Sequence, residues 1–252
     1  MSNIKYVIRQ QSFAYNDEYY DTRDPMKGNI TAVYDDKSTA EEAYKQLIVD
    51  ALYENELGQF GIVENHGYEQ HEKIEAFILE KTGQAYDQQL PTLELDDAFE
   101  FAKLTKILHY QLIEIDNSLP NYVIFFPNHN SYFSVSAYGQ EDEVLLIGND
   151  PHFLFDQQSY PDNYYCISEH LESFFSSLNL QLEGSLEELS DTPVLLEHFI
   201  KEKSWLKYEN QILKVDYYED QESFDRIKSL SALLKNPIFE VQAVTLEQLA
   251  TL

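Results

Sequence analysis

Two histidines and two glutamates lie within one stretch of seven residues, at His66, Glu69, His71 and Glu72. Imidazole and carboxylate groups are zinc ligands, and a loop that leads into a helix can bring such groups together. A separation of five residues, however, does not place His66 and His71 on one helical face. We favour ordinary polar residues near a helix start and keep zinc as the alternative, so that no metal or cofactor is predicted.

Cys166 and His170 are four residues apart on a predicted helix, so that sulfur and imidazole can touch. Thiolate chemistry requires that imidazole, or another cation, to lower the pKa of the thiol. The surrounding carboxylates and the lack of Lys and Arg oppose a thiolate there. Cys166 is better interpreted as a small buried hydrophobe, and no catalytic residue is predicted.

Two runs of acids, Asp35-Asp36 and Glu141-Asp142-Glu143, have ligands suited to Mg²⁺ or Ca²⁺ and carboxylates suited to acid–base chemistry. Residues that are neighbours in sequence rarely point at one atom, and both runs fall in predicted turns. Solvated turn residues are the favoured interpretation.

Three tyrosine pairs stand beside acids, and they are Tyr19–Tyr20, Tyr164–Tyr165 and Tyr217–Tyr218. Tyrosine gives rigid contact area to an interface, and flanking carboxylates select for a basic partner. The structural alternative, favoured for any single pair, is a strand in which one ring faces inward and the other outward.

Known catalytic signatures are missing from the sequence: it contains no phosphate-binding glycine loop, no dinucleotide fingerprint, no nucleophile elbow and no H-E-x-x-H motif. No EF-hand pattern occurs, and a single Cys cannot form a Cys-rich zinc site or an internal disulfide. A nucleotide-phosphate enzyme is therefore disfavoured, and a reducing compartment fits best.

Net charge is the dominant property of the chain, with 45 acids against 17 bases and a balance of −28 over 252 residues. Residues 107–200 contain 15 Asp and Glu but no Lys or Arg. Such a surface disfavours direct binding to nucleic acid or anionic lipid, which normally requires a basic face, and it favours basic partners. No apolar run is long enough to span a membrane and the N-terminus has no secretory pattern, so we expect a cytoplasmic protein.

Hydrophobic periodicity predicts the elements. Ser38 with Glu41 predicts a capping box at the start of a helix. A second helix is expected over about 69–81, ending at Gly83. Further helices are expected from Asp96, over 167–178, from Pro193 to about Lys203, over 221–234 and from Thr245. Strands are predicted over 4–15, 30–34, 112–115, 122–126, 132–137, 144–147, 211–218 and 238–244, with a loop at 17–28.

The breaks between the central strands have the length of hairpin loops, and they predict a four-strand meander near residues 110–148. We therefore expect an α+β fold with a central antiparallel or mixed sheet, flanked by amphipathic helices. The polar stretch 84–92 suggests an N-terminal lobe of residues 1–90 and a sheet-centred lobe of residues 91–252, with one packed domain as the equal alternative.

Three functions remain. The first is a non-enzymatic protein that engages a basic protein, as an inhibitor or immunity-type cover of a nuclease or toxin or as a nucleic-acid mimic towards a DNA-binding protein. The second is a carboxylate-based or metal-dependent enzyme without a signature, with Asp150, His152, Glu169 and His170 converging in a pocket. The third is a structural protein whose charge serves solubility only. For the first function, the predicted contact residues are Asp17, Glu18, Tyr19, Tyr20, Glu141, Asp142 and Glu143.

Overall fold

The computed structural model describes residues 4–15, 20–54, 68–86, 90–136, 143–149, 170–178 and 180–252. Within these ranges the chain has 11 strands and eight helices, and its ladders of known register are antiparallel. The predicted α+β class is therefore confirmed. The chain forms two compact units, of which the first comprises Met1–Leu119, Ser136–Val144 and Thr245–Leu252, and the second comprises Pro120–Val135 and Leu145–Val244. The described residues of the polar stretch, 84–86 and 90–92, fall within the first unit, and the lobe boundary expected there stays a prediction.

The sheet of the first unit contains β1 (Ile4–Tyr15), β2 (Tyr20–Tyr34) and β3 (Tyr110–Asp116) in the order β2-β1-β3. The loop expected over 17–28 is therefore wrong for residues 20–28, which belong to β2. Acids, Pro25 and Gly28 gave this segment a loop-like composition, but an edge strand tolerates proline because one side of it lacks a partner strand.

Gly28 shows why a glycine occurs inside β2. The pairing with β1 shifts register between Arg9 and Gln11, and a Cβ on residue 28 would lie 2.9 Å from the backbone oxygen of Gln10. The buried Arg9 side chain adds a second contact to this residue, because its Nε donates to the Gly28 backbone oxygen at 2.7 Å. A side chain at position 28 would force these strands apart.

Three of the four helices described in the first unit contribute to its core: α1 (Lys37–Glu54), α2 (Tyr68–Thr82) and α3 (Leu95–Thr105). The predicted cap of α1 is wrong by two residues, because the Asp36 carboxylate, rather than Ser38, accepts from the Thr39 backbone N–H at 2.8 Å. The end of α2 is as predicted, with Gly83 at φ +71°. The apolar faces of the helices and the sheet form one core, which includes Phe13, Ile48, Leu52, Ile74, Ile78, Phe101 and Ile107.

Strands form in all four predicted central segments, but the third segment is divided into two short strands in different sheets, and the meander that was to join the four is not confirmed. β3 pairs with β1, whereas β4 (Asn121–Phe126) lies between β11 (Glu240–Val244) and β5 (Ser131–Tyr132). β6 (Ser134–Ser136) and β7 (Glu143–Leu145) form a separate two-stranded sheet. Loop length had favoured a hairpin between β3 and β4, but the division between the two units falls in that loop, after Leu119. Both β3 and β4 therefore pair with strands that are distant in sequence rather than with each other.

The second unit also contains a three-stranded sheet in the order β8-β10-β9, built from β8 (Gln181–Glu183), β9 (Leu206–Glu209) and β10 (Ile212–Val215). The single strand expected over 211–218 is thus shorter and is the second arm of a hairpin. Asn210 and Gln211 have φ of +55° and +62°, and two consecutive positive φ angles are the signature of a type I′ turn. The turn determines the register of β9 and β10.

The remaining helices are α4 (Leu171–Ser177), α5 (Leu186–Leu189), α6 (Pro193–Glu202) and α7 (Gln221–Ser231) in the second unit, and α8 (Leu246–Leu249) in the first. Phe174 of α4 is fully buried at the centre of the second core. Its ring centroid lies 5.3–6.3 Å from those of five other phenylalanines, Phe126, Phe133, Phe175, Phe224 and Phe239. Among the described helices, none combines the length and the apolar character that crossing a membrane would require.

Candidate functional site

The surface predicted to contact a partner lies mostly outside the described residues, since Asp17, Glu18, Tyr19, Glu141 and Asp142 are not among them. The two remaining positions are both strand ends. Tyr20 begins β2 opposite Tyr15, and the exposed Glu143 begins β7, where its backbone oxygen accepts from Asn29 Nδ2 at 2.8 Å. Asn29 is nine residues along β2 from Tyr20, up to about 30 Å in an extended strand. The grouping of these residues into one surface stays a prediction.

The described carboxylates lie at the surface of the protein. Every Asp and Glu whose side chain is described is exposed, apart from the half-buried Asp97, which pairs with Lys81 at 2.8 Å. Fewer than half of these acids lie within ion-pair distance of a described Lys or Arg. In this part of the chain, the acidity is therefore a property of the surface rather than of a buried site.

Tyr110 is one place where the field of the surface carboxylates acts on a neighbouring group. Burial, and after it the negative charges of Glu54 and Asp50, raise the pKa of the Tyr110 hydroxyl above its ordinary value. Glu54 and Asp50 lie on α1, and Tyr110 begins β3, an edge strand of its sheet. A cation approaching this edge meets a negative potential, because the same charges that disfavour tyrosinate favour a positive group.

The Asp35-Asp36 pair does not form a joint ligand set. Asp35 pairs with Lys5 at 2.8 Å, whereas Asp36 caps α1. The backbone N–H and the hydroxyl of Thr39 hold the pKa of Asp36 below its ordinary value. Both carboxylates thus have local structural roles, which agrees with their interpretation as turn residues.

The other candidate residues are only partly described. His71 lies in α2 with Nδ1 at 3.8 Å from Glu75, while His66 lies outside the described residues. Cys166, Asp150, His152 and Glu169 also lie outside them, so that the thiol and the catalytic pocket stay predictions. Within the described ranges, no group of three or more His, Cys, Asp or Glu side chains is arranged to hold a metal ion.

Tyr217 and Tyr218 lie beyond Val215, where the strand ends, so the strand that was to place one ring inward and the other outward is wrong for this pair. The Tyr217 ring stacks on Phe175 with centroids 4.9 Å apart and an interplanar angle of 11°, whereas Tyr218 is 73% exposed. The Tyr217 ring therefore covers the buried Phe175 while staying 37% exposed itself, and Tyr218 faces solvent.

Sequence reasoning missed a groove in the second unit, which we call the Trp205 groove. It has a volume of about 460 Å³. The end of α6, the turn after it and one face of α7 form its walls. Its lining residues are Phe199, Glu202, Lys203, Ser204, Trp205, Glu222, Asp225, Arg226 and Ser229. The four residues from α7 follow the spacing i, i+3, i+4 and i+7, and for this reason they share one face.

Two aromatic rings form the apolar part of the Trp205 groove. Trp205, the single tryptophan of the chain, meets Phe199 edge to face with centroids 5.9 Å apart. The Arg226 guanidinium carbon lies 6.0 Å from the centroid of the Trp205 ring, and Lys203 Nζ lies 5.4 Å from that of Phe199. Both distances are within the range of cation–π attraction. Each ring thus already makes a cation–π contact with one basic side chain of the protein.

The carboxylates of the Trp205 groove outnumber its cations by three to two. Arg226 forms an ion pair with Glu222, four residues before it on α7. Glu202 lies 3.2 Å from His198, and in the described part of the chain no Lys or Arg lies within ion-pair distance of Glu202 or Asp225. The groove therefore offers two carboxylates whose charge is not neutralised by a lysine or an arginine.

A sequence signal for this groove was present but weak. Trp205 stands beside Lys203 in a part of the chain where bases return, whereas Arg226 is 21 positions further on. Only the approach of α7 to the turn before β9 brings them together, and this approach cannot be predicted from either segment alone. Comparison with known proteins adds no assignment, because no family model, curated protein or solved structure matches the chain.

Proposed function

We propose that this chain is an acidic, non-enzymatic binding protein that engages a basic protein. The observation that supports the proposal is the position of the described carboxylates, which are exposed with the exception of the half-buried Asp97. Carboxylates that serve an active site are typically buried, paired or convergent, because burial and neighbouring charges are what tune them. The carboxylates of the described residues are instead exposed on the folded units.

The size of the charge favours a partner over a role in solubility alone. Surfaces that serve solubility usually mix both signs, whereas residues 107–200 carry 15 acids and no Lys or Arg. Complementary charge speeds encounter and suppresses wrong partners. A basic nuclease, toxin or DNA-binding protein has the matching surface, because its own ligand is a polyanion. Carboxylates on a rigid scaffold can take the positions of phosphates.

The test is capture of partners by the immobilised protein at low (about 50 mM) and high (about 500 mM) salt, followed by identification and measured affinities. The proposal expects captured proteins that are basic and that bind at least tenfold more weakly at high salt. Retention of acidic or neutral proteins with salt-independent affinity would contradict it.

A pair of matched variants locates the surface. The first neutralises the five predicted acids, with Asp17→Asn, Glu18→Gln, Glu141→Gln, Asp142→Asn and Glu143→Gln. The second neutralises five exposed acids of the second unit, Glu183, Glu187, Glu188, Glu209 and Glu240. Both lose the same charge, so that a larger loss of affinity in the first variant assigns the contact to the predicted residues. Equal losses would mean that the net field alone attracts the partner.

A further inference from the structure

We infer that the Trp205 groove is a binding site for an arginine side chain of a basic partner protein, an inference that rests on the proposed function. The groove combines a π-surface with carboxylates at its rim. A guanidinium group uses both, since it stacks on an aromatic face and donates two parallel hydrogen bonds to a carboxylate. Tryptophan in such a position is also among the residues that most often dominate protein interfaces.

The protein itself shows that the rings accept cations. Arg226 lies over the Trp205 ring and is paired with Glu222, so that one arginine already uses the two contacts that we assign to the partner. The side chain of Arg226 is 28% exposed. An incoming guanidinium can therefore replace Arg226 on the ring, or bind beside it, while keeping the same kinds of contact.

The two carboxylates without a Lys or Arg partner decide whether the groove favours a cation or an anion. Asp225 precedes Arg226 on α7, and Glu202 stands at the end of α6, on the opposite wall. An anion entering the groove would gain Lys203 and Arg226 but would face three carboxylates and a chain of net charge −28. A cation meets attraction from both the rim and the long-range field.

Exposed apolar residues extend the site along α6. Leu195 is 55% exposed and lies four residues before Phe199, so that both side chains lie on one side of the helix. Val194 beside it is 78% exposed. This patch suits a segment in which apolar residues flank the arginine, because large exposed apolar groups next to a groove commonly mark contact surfaces.

The experiment uses the fluorescence of Trp205, which reports on this groove because the chain has no other tryptophan. The full chain is titrated with an unlabelled nonapeptide of alternating arginine and alanine, and with lysine–alanine and aspartate–alanine versions. Binding anywhere on the protein is followed separately by the anisotropy of the same peptides carrying a fluorescent label. We expect the arginine peptide to change the Trp205 emission at the concentrations at which it binds, the lysine peptide to do so more weakly, and the aspartate peptide not at all.

Matched variants identify the contacts without disturbing the core. Asp225→Asn and Glu202→Gln should each lower the affinity for the arginine peptide about threefold, the loss typical of one exposed charge pair. Glu209→Gln is the control, since Glu209 is exposed at the far end of β9, roughly 13 Å along the strand from Trp205.

Arg226→Gln gives the result of opposite sign, a tightening of about two- to threefold, because it removes a competing cation and frees Glu222. Lys235→Gln removes a cation from the Lys235–Asp191 ion pair, outside the groove lining, and should leave the affinity unchanged.

The outcomes separate this inference from the proposed function. The arginine peptide could bind, as measured by anisotropy, without changing the Trp205 emission and with the same affinity for all variants as for the parent protein. That result would overturn the groove assignment and leave the proposal of an acidic binding protein intact. Binding of the aspartate peptide, weakened by Arg226→Gln, would overturn the choice of a cation. Failure of all cationic peptides to bind would overturn the groove assignment, whereas the proposed function is decided separately by the capture of partners at low and high salt.

Discussion

His109 makes the stability of the first unit depend on pH. Its ring meets Phe13 edge to face with centroids 5.3 Å apart, and its Nε2 is buried without a hydrogen-bond partner among the described residues. Burial lowers the pKa of His109 from 6.5 to about 4. The unfolded chain therefore takes up this proton as the pH falls through 6.5, whereas the folded protein resists until about 4. Stability is lost on acidification over that window, by about 3 kcal/mol in full and about 2 kcal/mol at pH 5.

The assay is urea unfolding of the parent protein and of His109→Phe between pH 7.5 and 5. Phenylalanine fills a similar volume and cannot titrate, so that protonation of the many carboxylates cancels in the difference between the two proteins. We expect the variant to gain about 2 kcal/mol relative to the parent over this range. A difference that stays constant with pH would refute the buried neutral imidazole. An NMR titration in which His109 protonates near 6.5 would refute it directly.

The other predictions concern a cap, a buried hydroxyl and the net charge. Asp36→Ala should lower the thermal midpoint by about 3 °C while Ser38→Ala leaves it unchanged, and equal shifts would restore Ser38 as the cap of α1. Ser231→Ala should lower the free energy of unfolding in urea by about 2 kcal/mol, since the buried Ser231 hydroxyl donates to the Phe239 oxygen at 2.9 Å and accepts from the Phe239 N–H at 3.2 Å. Ser229→Ala, at an exposed position, is the control and should change it little. Added NaCl should raise the thermal midpoint, because it screens repulsion within a chain of charge −28, and calorimetry showing a decrease would contradict that repulsion.

Local chemistry made the helices predictable. Ile74, Phe77 and Ile78 mark the inner face of α2, and Gly83 supplies the left-handed residue that ends it. The start of α6 at Pro193 is equally local, since proline is favoured in the first turn of a helix. Such signals lie within a few residues of one another, and the chain needs no distant partner to express them.

Strand pairing was less predictable because its determinants are distant. β4 pairs with β11, more than a hundred residues later, and nothing in Asn121–Phe126 encodes that choice. The first half of β2 was not predicted for a related reason. Pro25 and Gly28 are unfavourable in a central strand but acceptable in an edge strand with a register shift. Composition indicates whether a segment can be a strand, whereas its position in the sheet decides whether it is one.

The candidate site shows the same limit. The sequence predicted an acidic surface, because charge is additive along the chain, but the Trp205 groove depends on helix α7 and the turn before β9 coming together. No spacing rule links Trp205 to Arg226. The pair Tyr217–Tyr218 suggested a contact surface, but only Tyr218 is free to supply it, because Tyr217 stacks on Phe175.

The acidic surface and the groove contribute differently to binding. Long-range attraction by a charge of −28 decays over a Debye length of about 10 Å at 0.1 M salt, so it governs encounter and disappears at high salt. Exchange of Arg226 for a partner arginine on Trp205 replaces one cation–π contact by another and therefore has a small net effect on free energy. The added affinity must then come from Glu202, Asp225 and the covered apolar surface, which act at contact and are screened far less. For this reason, neutralising distant acids should matter at low salt only, whereas Asp225→Asn should weaken binding at both salt concentrations.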